Sequence, residues 1–182
     1  MYFCSRQPGN FKRTRMSTLK YRDATKADLP KIVEIYNSTI PSRMVTADTE
    51  PVSVESRERW FDEHQGNRPL WMVENEDNEI VGWVSFQPFY GRPAYNATVE
   101  VSIYMDEQYR GQGFGKRILE YCLNIAPDFQ IKTLLGFIFA HNEPSLKLFK
   151  HFGFEEWGNF PNIAILDGEE RGLIIMGKRL VP

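Results

Sequence analysis

Three glycines alternate with other residues in the run Arg110-Gly111-Gln112-Gly113-Phe114-Gly115-Lys116, and the hydrophobic period of the chain changes across them. Before the run, Val99, Val101, Ile103 and Met105 alternate with Thr98, Glu100, Ser102 and Tyr104, the period-two pattern of a strand with two distinct faces. After it, Ile118, Leu119, Cys122, Ile125 and Ala126 recur at helical spacing. A strand that turns through glycines into a helix presents successive backbone N–H groups at a helix N-terminus, which is an anion site by construction. Two common phosphate loops do not fit. A P-loop starting at Gly111 needs its second glycine at position 116 and a Ser or Thr after the lysine, where Arg117 stands. A dinucleotide fingerprint starting at Gly111 or Gly113 needs a third glycine where Lys116 or Ile118 lies, on the first strand of its unit, and this strand is about the fourth. Taken alone, the loop also fits a turn that merely lets strand and helix pack closely.

The remaining pattern alternates strands and helices. A short strand over 19–22 precedes a helix with Leu29, Ile32, Val33, Tyr36 and Ile40 on one face, opened by Thr25 and Asp28 and stopped by Pro41 and Ser42. A polar segment through Pro51 leads to a second helix behind Ser53, carrying Val54, Trp60, Phe61 and His64. Runs at 70–73 and 80–86 read as a hairpin around the acidic turn 74–79. A strand over 132–140 is followed by a helix that Asn142 caps and Gly153 ends, and the chain closes on β-like runs at 154–160 and 173–180. There is no internal repeat.

With 182 residues, 42% of them hydrophobic, the chain fits one domain, expected over 19–182 behind a basic leader over 1–18 expected to be disordered. Four of its 22 basic residues lie in the first fifteen positions, which hold no acid, leaving 18 bases against 24 acids in the rest. That balance disfavours a nucleic-acid grip. No apolar run approaches a membrane span, and the leader lacks the apolar core of a secretory signal. Cys4 and Cys122 are too far apart in sequence and context for a disulfide framework, so a reducing, cytoplasmic compartment is the simpler expectation.

Arg110, then Gly113 and Gly115, between a strand and a helix, resembles the GCN5-related N-acetyltransferase (GNAT) superfamily. A second stretch, Ala140-His141-Asn142-Glu143-Pro144-Ser145 with Leu146, Leu148, Phe149 and the ending Phe152-Gly153-Phe154, is similar to that superfamily's cofactor-side helix. The order Ile35-Tyr36-Asn37, Thr46-Ala47-Asp48, Trp60-Phe61, Gly91-Arg92-Pro93-Ala94-Tyr95 and 99–104 resembles its phosphinothricin acetyltransferase-like branch from about Leu19 to Leu180. The resemblance implies an α/β (α+β) fold with a mixed, mostly antiparallel sheet of about six to seven strands, flanked by about four helices and splayed at the cofactor-binding strand. It implies acetyl-coenzyme A as cosubstrate, direct transfer in a ternary complex to the primary amine of a small amino acid-like acceptor of the phosphinothricin or methionine sulfoximine type, and a homodimer.

Residue by residue, the resemblance implies that the amides of Gly111, Gln112, Gly113, Phe114, Gly115 and Lys116, with Arg110, hold the pyrophosphate. Val101, Ser102 and Ile103 then present main-chain groups to the pantetheine and thioester, and Asn142, Ser145 and Phe149 flank its arm. Glu100 is the implied base, a carboxyl whose pKa burial would raise towards a useful range. Arg92 and Tyr95 match positions that hold the acceptor, a guanidinium being suited to a carboxylate or phosphinate. Phe149 stands where many members have a tyrosine, and it cannot protonate a departing thiolate. His64, His141 and His151 make no metal-ligand set, so no metal is expected. Acetylation of a peptide or protein amine, or acyl-coenzyme A sensing without catalysis, are the other readings that remain open.

Overall fold

The computed structural model describes residues 18–64 and 66–180; the leader expected at 1–18 lies outside them except for Thr18. Seven strands form one sheet in the order β1-β2-β3-β4-β5-β7-β6: β1 (Lys20–Asp23), β2 (Leu70–Glu74), β3 (Ile80–Pro88), β4 (Thr98–Met105), β5 (Thr133–Phe139), β6 (Glu155–Leu166) and β7 (Glu169–Arg179). Every neighbouring pair is antiparallel except β4 and β5. Four helices complete the fold: α1 (Leu29–Thr39), α2 (Val54–Asp62), α3 (Phe114–Ile125) and α4 (Glu143–His151). None is long and apolar enough to cross a membrane.

The sheet is covered on both faces, which is why β2 is one unbroken buried apolar run. On one face Trp71, Val73, Val99 and Val101 pack with Phe114, Ile118, Leu119 and Cys122 of α3 and with Phe149 of α4. On the other, Leu70, Met72 and Trp83 pack with Leu29, Ile32, Val33 and Ile35 of α1 and Phe61 of α2. Trp83 fixes the second contact by donating its indole N–H to the Ile32 carbonyl at 3.1 Å. Because Val99 and Val101 belong to the α3 side, the alternation of β4 turns Glu100, Ser102 and Tyr104 towards the α1/α2 side.

The expected helix starts hold. Ser53 accepts from the Ser56 N–H at 3.2 Å, Asn142 accepts from the Ser145 N–H at 3.2 Å, and Thr25 and Asp28 form a capping box. The closing hairpin differs from the sequence reading: β6 runs on to Leu166 and β7 starts at Glu169. Two register shifts in β6, a left-handed Asn162 (φ 56°) and the edge position, which leaves most of the strand exposed, erase the alternation that marks a half-buried strand.

Candidate active site

The parallel ladder between β4 and β5 covers only Thr98, Val99 and Glu100 against Thr133, Leu134 and Leu135, yet the strands continue to Met105 and Phe139. Beyond Glu100 they part, and main-chain groups of Val101, Ser102 and Ile103 on that side have no strand to pair with. A groove of about 240 Å³ occupies the opening. Val101, Ser102, Ile103, Arg110, Gly115, Asn142, Ser145 and Phe149 line it, together with Thr39, Met44 and Val45, which the sequence did not single out.

At the end of the groove nearest the start of α3 the glycines adopt the geometry their spacing implied. Gly111 and Gly113 lie at φ 74° and 81°, left-handed conformations that side chains with a Cβ avoid, and a Cβ at either would meet nothing within 4 Å. Gly113 is the N-cap of α3, and no side chain caps that end, so the first amides of the helix are free for an anion. Gln112 is anchored through Gln108 O at 2.9 Å, and Gln112 and Lys116 are exposed while Phe114 is buried beneath the turn. The cradle fits a diphosphate.

Asn142 ties this groove to the segment after α1. Its side-chain oxygen caps α4 and its Nδ2 donates to the Met44 carbonyl at 2.8 Å, while His141 Nε2 donates to the Arg43 carbonyl at 2.8 Å. Arg43 in turn pairs with Asp167 at the β6–β7 tip, 2.8 and 2.9 Å. Phe149 is buried against Gly136 of β5, where a Cβ would collide with its ring. Gly136→Ala should therefore cost about 1–3 kcal/mol by overpacking, and Phe149→Leu in the same chain should recover part of it. Denaturant unfolding of the two singles and the double reads that coupling; additive losses would mean the ring does not set the requirement for glycine.

A second cavity, about 190 Å³, lies on the α1/α2 side. Glu100, Ser102 and Tyr104 line both cavities and so form the wall between them. Tyr36, Arg57, Trp60, Trp83 and Gln87 are the other prominent residues of the second. Tyr104 stacks on Trp83, ring centroids 4.4 Å apart, and Trp60 meets Trp83 edge-on. Burial raises the Glu100 pKa, and a 3.2 Å hydrogen bond from Ser102 Oγ offsets part of that rise. Arg92 and Tyr95 are exposed and line neither cavity: both lie beside Tyr90, which lines a shallow depression that shares Trp60 and Gln87 with the second cavity, and Tyr95 lines a separate depression beside Phe89 and Trp157.

Residues 30–154 match the Acetyltransferase (GNAT) family. The chain belongs to that family. It is 55% identical over 159 residues to YwnH of Bacillus subtilis (strain 168), provisionally named a phosphinothricin acetyltransferase, across 87% of this chain and 98% of that one. An L-methionine sulfoximine/L-methionine sulfone acetyltransferase of Pseudomonas aeruginosa is 30% identical over 165 residues, 88% of this chain and 94% of its own. Among solved structures, a GNAT phosphinothricin acetyltransferase from Sinorhizobium meliloti in complex with acetyl-coenzyme A superposes with a TM-score of 0.81 at 27% identity, covering 90% of this chain and 88% of that one. The seven-stranded, splayed sheet with four helices is thus the fold of an acetyltransferase, as the sequence implied.

Tyr36, Arg57 and Tyr104 line the second cavity, and Asp48 accepts from both Arg57 and Tyr36; sequence reasoning left all four without a role. A signal was present: Arg57 and Trp60 stand three apart on α2, so they share one helix face.

Proposed function

We propose that this acetyltransferase moves acetyl from acetyl-coenzyme A to the primary amine of a small amino acid-like acceptor, of the phosphinothricin or methionine sulfoximine type, by direct transfer in a ternary complex. The observation that carries this reading is the shared wall: one carboxyl, Glu100, lines both the groove in the parted sheet and a small aromatic cavity behind it. At about 190 Å³ that cavity is below the roughly 300–1,000 Å³ of drug-sized sites, which favours a small acceptor over a peptide. The names of the relatives support the same acceptor class.

In this reading the amides of 111–116 and the guanidinium of Arg110 hold the diphosphate, and the N-terminus of α3 adds favourable charge. Main-chain groups of Val101, Ser102 and Ile103 align the pantetheine arm, with Asn142, Ser145 and Phe149 across the groove. Glu100, directly or through one water, takes a proton from the acceptor ammonium. The nitrogen lone pair then forms the C–N bond and the C–S bond breaks, releasing a thiolate that Phe149 cannot protonate; the second proton, shed by the new amide nitrogen, passes to water and from there to the thiolate or bulk solvent. A thiol is acidic enough to leave without that help. Arg92 and Tyr95 meet the acceptor at the outer rim beside Tyr90. A cytoplasmic homodimer completes the proposal, favoured by Trp157, Phe160, Ile163 and Ile165, which stand 42–68% exposed on edge strand β6. Nucleic acid and membrane are not proposed as partners, given the acidic balance of the chain beyond its leader.

Thiol release from acetyl-coenzyme A with a panel of L-amino acids, phosphinothricin, methionine sulfoximine and methionine sulfone tests the reading. Turnover should be confined to small amino acid-like amines. Stabilisation by acetyl-coenzyme A without turnover on any amine would replace it with acyl-coenzyme A sensing.

A further inference from the structure

The acceptor cavity holds one cation that the transfer chemistry above does not use. Arg57 of α2 lines it, and among the described residues no lysine or other arginine does. Its Nη2 donates to Asp48 at 2.7 Å, and its guanidinium lies over the Tyr36 ring, 4.6 Å from the centroid. Tyr36 donates to the same carboxylate at 2.5 Å and also meets the Thr46 hydroxyl. These contacts hold the side chain but engage one of its three nitrogens; among the described residues its hydrogen bond runs from Nη2 to Asp48, and Nε and Nη1 make none. With 26% of its side chain exposed, Arg57 is neither free in solvent nor sealed.

We propose that Arg57 binds the acceptor's α-carboxylate and so selects α-amino acids over plain amines. This rests on the acetyl-transfer reading and names the recognition element of that same site. A zwitterionic amino acid carries opposite charges a few bonds apart, and this small cavity is lined by one guanidinium and one carboxyl that can face them. The aromatic wall of Trp60, Trp83 and Tyr104 takes the acceptor's apolar body. Asp48 does not preclude a second carboxylate on Arg57. Arg22 in the same molecule serves two, binding Asp28 through Nη1 and Nη2 at 2.8 and 2.7 Å and Glu74 through Nε at 2.7 Å. A guanidinium already held by Asp48 and Tyr36 loses little further freedom on binding.

The test compares kcat/KM for methionine sulfoximine with that for the corresponding amine lacking the carboxylate, in wild type, Arg57→Gln, Arg57→Lys, Asp48→Asn and Arg92→Gln. Wild type should prefer the amino acid by at least about a hundred-fold, since a site with an unmet charged donor rejects the analogue that cannot pair with it. Arg57→Gln should reduce that ratio to a few-fold through KM, leaving the carboxylate-free amine nearly unaffected, and Arg57→Lys should fall between. Asp48→Asn, which loosens the tether but keeps the guanidinium, should retain the preference. Were Arg57 only a strut between α2 and residues 46–48, Arg57→Gln and Asp48→Asn would lower both substrates alike. A wild-type ratio in Arg57→Gln, or a collapsed ratio in Arg92→Gln alone, overturns the assignment. Failure of wild type to release thiol with any amine would instead bring down the acetyl-transfer reading itself.

Discussion

Glu100→Gln should lower kcat by about 10²–10⁴, the range contributed by a positioned general base, while the affinity for acetyl-coenzyme A stays within about two-fold. The two readouts separate because Glu100 stands in the wall between the cavities, whereas the proposed diphosphate cradle lies in residues 110–116 at the start of α3. The pH profile sharpens the expectation. Burial raises the Glu100 pKa and the Ser102 hydroxyl lowers it in part, so the acid limb of kcat/KM should lie above the ordinary glutamate range near pH 4.3. Activity should fall as pH drops through that raised pKa, and Glu100→Gln should lose this limb. The same shift has a consequence for stability. A folded pKa above the unfolded one means the native state holds its proton longer, so stability present below the unfolded pKa declines as pH rises through the folded value. Glu100→Gln should therefore match wild type at pH 3–4 and gain on it towards neutrality, in thermal unfolding. A variant with unchanged kcat and an unchanged acid limb would remove Glu100 from the mechanism.

The strand and loop at the centre of the site were legible because local rules act there without competition. The alternation of 98–105 survives as β4, with Glu100 on the face opposite Val99 and Val101, and the glycines at 111 and 113 take the positive φ their spacing implied. Asn142 and Gly153 bound α4, which spans Glu143–His151, as cap and left-handed terminator. What stayed hidden is long-range. The parting of β4 from β5 depends on how far a parallel ladder between residues more than thirty apart extends, and nothing in either strand's own pattern limits it to three pairs. The cavity behind Glu100 needs Tyr36, Arg57 and Trp83, from three different elements, to converge. Arg92 and Tyr95 were assigned to the acceptor on resemblance; among the described residues they flank Tyr90 at the rim while Arg57 lines the cavity with Glu100. A charged residue on an amphipathic helix is ordinarily read as solvated, and only the packing of α2 on α1 turns Arg57 inward.

Gly113→Val tests the proposed diphosphate cradle, and it should weaken coenzyme A binding by about a hundred-fold or more in calorimetric titration. Space is not the obstacle in the free protein, because a Cβ at position 113 meets no atom within 4 Å. Conformation is. At φ 81° and ψ 3° the residue is left-handed, which costs an L residue about 1–2 kcal/mol and a β-branched one more. The turn can hold this shape under strain or relax to negative φ, and relaxation rotates the amides that open α3 away from the anion. Each charge-assisted hydrogen bond lost adds about 1.5–3 kcal/mol to the deficit. Overall stability should change less, since Gly113 is exposed and, beyond Phe114, the buried anchors Ile118, Leu119 and Cys122 hold α3 a turn or more further on. Gly113→Asn separates the two physical causes. Asparagine tolerates the left-handed region better than other residues with a Cβ, so it should keep much of the affinity if conformation governs and lose it if the added Cβ meets the phosphate. Gly113→Val binding coenzyme A within three-fold of wild type would mean that the diphosphate is held elsewhere.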